Sequence, residues 1–357
     1  MRKLKIGLTK TFKQNALTLK AFGSYNVLVN KKAKGTLHDG QTYQVGIYQG
    51  KRVVIAKQKV YDKQIYLQGQ TGGEILEING VKYRGNFYIE VLKNRFKVIN
   101  HLELEDYLYG VVGKEIIHSW PFETIRAQAV IARTYTLHNL NKHKEDGYDL
   151  TDNSSSQVYG GLNAESDKIR KAVDKTVGEV IAYHKKLANV YYYSSCGGHT
   201  ENIQNVWYIK KSFAYLRGKR CAYCRTAPVF KWEAKLKFSE IKTVLEKKGY
   251  KMGEINKIKV RRYFKSGRVR DISIHWRGGA FSMKATDFRA FFYKHLKSTM
   301  FKLNNKRDSV YFKGKGFGHG VGLCQYGAKG MSDKEYSYKT IIKNYFPKTE
   351  FKQWTKL

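Results

Sequence analysis

The sequence predicts an α+β protein with a helical middle and β-rich flanks, and three observations carry that class. Over residues 1–100, apolar and β-branched residues alternate or run in short stretches between Gly, Asn and Lys turns, which is the pattern of strands. From residue 103 the apolar period lengthens to that of helices. Past residue 230 both periods occur, and no repeat is evident. The expected organisation is a single unit: a β-rich segment over 1–100, a helical core over 101–229, an α/β insertion over 230–310, and a Gly-rich loop and helix over 311–357 that complete the core. With three prolines in 357 residues, no Pro-rich linker divides the chain.

Each element has its own signal. "KIGL", "YNVLV", "TYQVGIYQGKRVVIA", "IYLQG" and "NFYIEVLKNRFKVIN" read as strands. "ELEDYLYGVVGKEII" reads as a helix over 104–117, and a second helix follows Pro121, a residue suited to a first turn, with Ser119 as its expected cap. After the polar loop "KEDGYDLTDNSSSQVYGG", a third helix runs through "AESDKIRKAVDKT", and "EVIAYHKKLANVYYYSS" returns to strand-like residues. "SEIKTVLEKKG" and "ATDFRAFFYKHL" are further helices around the strands "KIKVRRYF" and "VRDISIHW". A last helix lies near "SYKTIIKNYF".

Composition narrows the class of partner. A chain that is 42% hydrophobic and 14% aromatic has ample material for a core. Its 67 Lys and Arg against 29 Asp and Glu leave a net charge of +38, which raises the local concentration of any polyanion. No zinc-finger, helix-turn-helix or RNA-recognition signature accompanies the charge, so nucleic acid is not the expected partner. A bacterial cell wall, with its carboxylates and phosphates, is an equally good anion, and solubility alone is the competing account of the excess. No apolar run approaches a membrane span, and "MRKLKIGLTKTF" lacks the apolar stretch of a secretion signal, so the chain reads as soluble with its export route open.

On the first helix, which runs into "VVGKEIIHSWPFETIRAQAVIARTYTL", Leu108, Val112 and Glu115 fall at i, i+4 and i+7. A carboxylate at the edge of such an inward stripe loses hydration, which favours holding a proton near neutral pH. Pairing with Lys114 at the rim is the other reading. On the second helix Arg126, Val130, Arg133 and Leu137 line one face, while Gln128, Ala132 and Tyr135 line another. Three alanines on that helix allow close packing, and its arginines are expected either to border a cleft at Glu115 or to form a solvated face.

"CGGH" and "CAYC" place Cys196 and His199 ahead of Cys221 and Cys224, a spacing at which two short knuckles hold tetrahedral zinc. Cys324 is the rival fourth ligand, and disulfides or reduced thiols are the alternatives. Such a site is closed and structural. "GKGFGHGVGLCQYGA" is too rich in glycine for a helix and lacks the order of a phosphate loop; it displays His319 and Gln325, and a lone histidine there reads as structural rather than catalytic.

Four ordered stretches, "EDYLYGVVGKEIIHSWPFETIRAQAVIARTYTL", "SSQVYGG", "YYYSSCGGHTENIQNVW" and "GKGFGHGVGLCQYGAKGM…SYKTIIKNYF", closely resemble those of the SpoIID/LytB family of stage II sporulation protein D and amidase-enhancer proteins. The likeness spans about residues 75 to 350. It implies a lytic transglycosylase acting outside the cytoplasm on peptidoglycan glycan strands, in sporulation or wall remodelling. Glu115 is then the single acid and base, Arg133 the leading substrate contact, and Arg126, Gln128, Tyr135, Tyr193, Ser195 and His319 further cleft residues. A non-catalytic wall-binding amidase enhancer is the alternative, and a cell-wall amidase or other sporulation proteins are the implied protein partners. No cofactor is implied for catalysis. The membrane anchor typical of the sporulation members is not seen, and Cys324 stands where serine is common.

Overall fold

The computed structural model describes residues 2–56, 59–207, 209 and 212–357. It is mixed α+β, and the chain divides into two compact units, Met1–Asn189 with Phe351–Leu357, and Val190–Glu350. The expected segment 101–229 is therefore split. Its helices pack with the N-terminal strands, and the cysteine-bearing stretch joins the residues that follow it.

In the first unit the N-terminal strands form two sheets. The larger runs Leu150–Thr151, Lys3–Gly7, Arg95–Glu103, Asn86–Leu92, Gln64–Gly69, Tyr25–Val29, Lys32–Leu37. Alternation places Phe96, Val98 and Asn100 inward along the long strand Arg95–Glu103, which leads straight into helix α1, Leu104–Glu115. Helix α2, Phe122–His138, packs against α1 and against α3, Asp167–Asp174. It is buried on nearly every face: Ala127, Ala129 and Ala132 are fully enclosed, so the small side chains do bring its backbone close to its neighbours. Pro121, not Ser119, occupies the cap position, with extended ψ and no side-chain cap. Its fixed φ and missing N–H suit this boundary. Phe351–Leu357 returns to this unit, where the Trp354 amide donates to the Gly178 carbonyl.

The second unit is built around a short parallel pair, Tyr192–Tyr193 with Leu323–Cys324. A separate core gathers Trp232, Leu236, Ile258, Ile272, Phe288 and Phe312. It fills the space between the sheet Lys231–Lys237, Ser309–Lys315, Phe301–Asn305, the sheet Ile255–Tyr263, Val269–Trp276, Gly279–Lys284, and helices Phe238–Glu246 and Ala285–Phe291. Among the described residues, no helix is long and apolar enough to cross a membrane.

Candidate functional site

Glu115 is the last residue of α1. The backbone turns extended at Ile116, so the helix ends two residues earlier than the apolar pattern predicts. Leu108 and Val112 of its stripe are fully buried and Glu115 itself is half-buried, as its place at the stripe's end requires. The carboxylate is held from a distant part of the chain, where the Val158 amide donates to Oε1 at 3.0 Å. Val158 belongs to "SSQVYGG", which lies along the α1 face bearing Gly110 and Gly113. A Cβ at Gly113 would stand 1.8 Å from the Ala164 carbonyl oxygen, and one at Gly110 would stand 2.5 Å from the Tyr159 ring. The two glycines are what let this loop approach the helix and present its amide to Glu115. Gln157 anchors the loop by donating from Nε2 to the Thr136 hydroxyl on α2. The paired glycines on one helix face were the available sequence signal for this loop, and helical periodicity alone passes over it.

Arg133, the expected substrate contact, is instead enclosed. Its Nη2 and Nε donate to Glu105 at 2.7 and 2.9 Å, Nη1 to the Glu179 carbonyl at 3.1 Å and Nη2 to the Val173 carbonyl at 3.3 Å. None of its surface is exposed. It ties α1, α2 and the end of α3 together, because a buried guanidinium is tolerable only when its donors are matched. Gln128 is likewise fully buried. Arg126 and Tyr135 remain partly accessible, with Arg126 paired to Glu123 at 2.9 Å one turn away.

In the second unit Ser195, Tyr193 and His319 come together, though not as an open cleft. Ser195 is fully buried and exchanges backbone hydrogen bonds with Phe317, whose amide also donates to Ser195 Oγ. Both ring nitrogens of His319 are engaged: Nδ1 accepts from the Val321 amide, and Nε2 donates to the Tyr192 carbonyl, each at 3.1 Å. Burial, reinforced by the Arg289 cation, lowers its pKa to about 3. A neutral, doubly bonded imidazole packed at tilted angles against Tyr193 and Trp207 organises this loop. Gly318 and Gly320 have φ of 117° and 93°, and side chains there would collide with Tyr193 and Arg268. The glycine density of the loop follows from those two approaches.

The sulfurs of Cys196, Cys221, Cys224 and Cys324 all lie within 4.8 Å of one another, and all four thiols are buried and unbridged. His199 is not among them; its Nδ1 meets the Thr200 carbonyl at 2.6 Å. The parallel pairing of Tyr193 with Cys324 carries the distant cysteine beside the "SSC" turn, which is why the fourth position belongs to Cys324 and not to the nearby histidine. Four thiolates about 2.3 Å from a tetrahedral zinc stand about 3.8 Å apart, so the set fits that ion. The surroundings fit thiolates as well: the Cys196 and Gly327 amides donate to Cys324 Sγ, the Gly198 amide donates to Cys196 Sγ, and the Tyr345 hydroxyl lies 3.3 Å from Cys221 Sγ. Hydrogen bonding among the sulfurs, to Cys196 above all, draws the Cys224 thiol well below its ordinary range. Nearby, the fully buried Arg268 donates from Nη2 to the Cys196 carbonyl at 3.0 Å.

The fold and the two sites define a class: α+β proteins that present one amide-held carboxylate at a helix end in one unit and a four-cysteine knot in the other. Comparison with known proteins names it. A family model described as "Stage II sporulation protein" matches residues 92–183, and one described as a domain of unknown function, DUF8618, matches 202–322. An uncharacterized protein of Brachyspira hyodysenteriae is 31% identical over 80% of this chain and 76% of its own length. The "Amidase enhancer" of Bacillus subtilis is 29% identical over 88% of this chain, which spans 50% of that protein. "Stage II sporulation protein D" of the same organism is 25% identical over 74% of this chain and 79% of its own. The chain belongs to the SpoIID/LytB family.

Proposed function

We propose that this protein is a lytic transglycosylase of peptidoglycan, working outside the cytoplasm on glycan strands. The observation that carries the reading is Glu115, a half-buried carboxylate at the end of α1 oriented by the Val158 amide. In this reading Glu115, as the acid, gives its proton to the glycosidic oxygen between N-acetylmuramic acid and N-acetylglucosamine. As the carboxylate, it then takes the proton of the muramic 6-hydroxyl, whose oxygen closes on the anomeric carbon and leaves a 1,6-anhydro end without consuming water. One group changing roles needs no second carboxylate, unlike the paired acids of hydrolytic glycosidases. Arg126 and Tyr135 are the accessible candidates for sugar contacts on α2. Cys196, Cys221, Cys224 and Cys324 would hold a structural zinc, which supplies a cross-link for the second unit and no reactive position.

The relative named for enhancing an amidase supports a second reading, a non-catalytic wall-binding partner of such an enzyme. Digestion of purified glycan strands, with and without stem peptides, separates the two by mass spectrometry of the products. Anhydro-muramic ends from the wild type, lost in Glu115→Gln and strongly reduced in Gly113→Ala, are the expected result. Products that survive Glu115→Gln would remove Glu115 from the reaction, and no products from either substrate would favour the enhancer reading.

A further inference from the structure

The sheet formed by Lys231–Lys237, Ser309–Lys315 and Phe301–Asn305 lies wholly inside residues 202–322, the region that the model of a domain of unknown function matches. Its two faces differ sharply. Trp232, Leu236, Phe312 and Phe301 point into the second unit's core. The opposite face carries Lys231, Lys235, Lys237, Lys302, Lys313 and Lys315, all exposed, with the carboxylate Glu233 among them and Asp308, in the bend before Ser309, acting on Lys235 and Lys237. Register makes this costly: Lys231 stands directly opposite Lys315, and Lys302 directly opposite Lys313. Like charges in facing positions destabilise a sheet. Only Lys313 has an ion-pair partner among the described residues, Glu233 at 3.2 Å, and both ends of that pair are well exposed. Lys231, Lys302, Lys313 and Lys315 also border a groove of about 950 Å³ that continues past Arg220, Arg225 and His199. The histidine that stays out of the cysteine cluster thus lies on the same cationic surface.

We propose that this lysine face and groove bind a linear polyol-phosphate polymer of the cell envelope, an inference that rests on the wall location proposed above. Along a strand, lysines at i and i+2 stand about 7 Å apart, and neighbouring strands add rows about 5 Å away. Such a grid matches a flexible chain with frequent full charges. Lysine ammoniums are point charges without the flat fork that suits a carboxylate, so the array ranks ligands by charge density and favours phosphodiesters over a carboxylate-bearing glycan. Single-stranded nucleic acid binds by stacking successive bases on a run of exposed aromatic platforms; the well-exposed rings of this face and groove are two, Tyr311, which Lys235 covers with its ammonium 5.2 Å from the ring centre, and Tyr263.

The test uses the full chain and measures binding to poly(glycerol phosphate) and to sacculi before and after hydrofluoric acid strips their phosphodiester polymers. The wild type should bind the polymer and the unstripped sacculi, with affinity falling steeply between low and high salt. The quadruple variant Lys231→Gln, Lys302→Gln, Lys313→Gln, Lys315→Gln should bind at least about tenfold more weakly. Its melting temperature should be unchanged or raised, since the facing lysines repel in the free protein. A control quadruple with Lys32, Lys34, Lys51 and Lys93 changed to Gln should bind as the wild type does. Equal loss in both variants, equal binding to stripped sacculi, or tighter binding to DNA than to poly(glycerol phosphate) would overturn the proposal. Glu115→Gln should bind normally, so a failure of the transglycosylase reading leaves this result standing and can be told apart from it.

Discussion

Arg133 in the first unit and Arg268 in the second are both sealed from solvent, and their surroundings differ completely. Arg133 meets a carboxylate through Nε and Nη2 and two carbonyls through Nη1 and Nη2. Arg268 donates to a single carbonyl, that of Cys196, and its Nε and Nη1 have no hydrogen-bond partner among the described residues. A buried cation without a carboxylate is expensive unless negative charge lies close by. Four thiolates around one divalent zinc carry a net double negative charge, and Arg268 sits where it would offset part of it. The first unit therefore pairs its buried guanidinium with a carboxylate directly; in the second the buried Glu201 is linked to Arg268 only through the Ser266 hydroxyl, and under the zinc reading proposed above the thiolates would supply further negative charge.

The largest effect that can break this comparison is Cys224→Ser. Loss of one ligand from a closed zinc site should abolish stoichiometric metal, measured by elemental analysis, and lower the stability of the second unit by several kcal/mol. Undiminished zinc in this variant would remove the metal assignment. Next in size is Arg133→Leu, which strands Glu105 and should cost about 3–5 kcal/mol in denaturant unfolding, with metal content unchanged. Arg268→Leu should behave differently, losing its zinc to a chelator faster than the wild type does, and equal chelation rates would sever Arg268 from the cluster. The smallest effect is with pH. Burial lowers His319 to about 3 and, with help from Lys5, His101 in the first unit to about 4, from an ordinary 6.5. Between those values the unfolded chain binds protons that the folded chain refuses. Stability is then complete above about pH 6.5 and falls on acidification, by at most about 1.4 kcal/mol per pH unit for each histidine. Replacing His319 by Gln should flatten that slope in the second unit and leave the contribution of His101.

Much of this was legible in the sequence, for physical reasons. Period alone reveals strands and helices, so α1 and α2 were found almost to their ends, and Glu115 was found on its inward stripe. The facing lysines were not legible: "KWEAKLK" and "SVYFKGK" look like scattered solvated charge until their register sets lysine against lysine. Arg133 was misread because a guanidinium on a helix face looks the same whether it faces a cleft or a carboxylate, and Glu105 lies 28 residues earlier in the chain. Ser195, which the family resemblance placed in a cleft, is instead held by backbone groups that no side-chain pattern announces, whereas His319 takes the structural role that a lone histidine suggests.

The sequence by itself determined the α+β class, the family, the acid at position 115 and the supply of cysteines, since these depend on residue identity, local period and ordered motifs. Only the tertiary structure decided which amide holds that carboxylate, that Cys324 and not His199 joins the other cysteines, and that Arg133 is enclosed while Arg126 stays partly accessible. Those outcomes depend on pairings between segments far apart in the chain. They are set by strand register and by how closely backbones can approach, as the glycines on α1 allow.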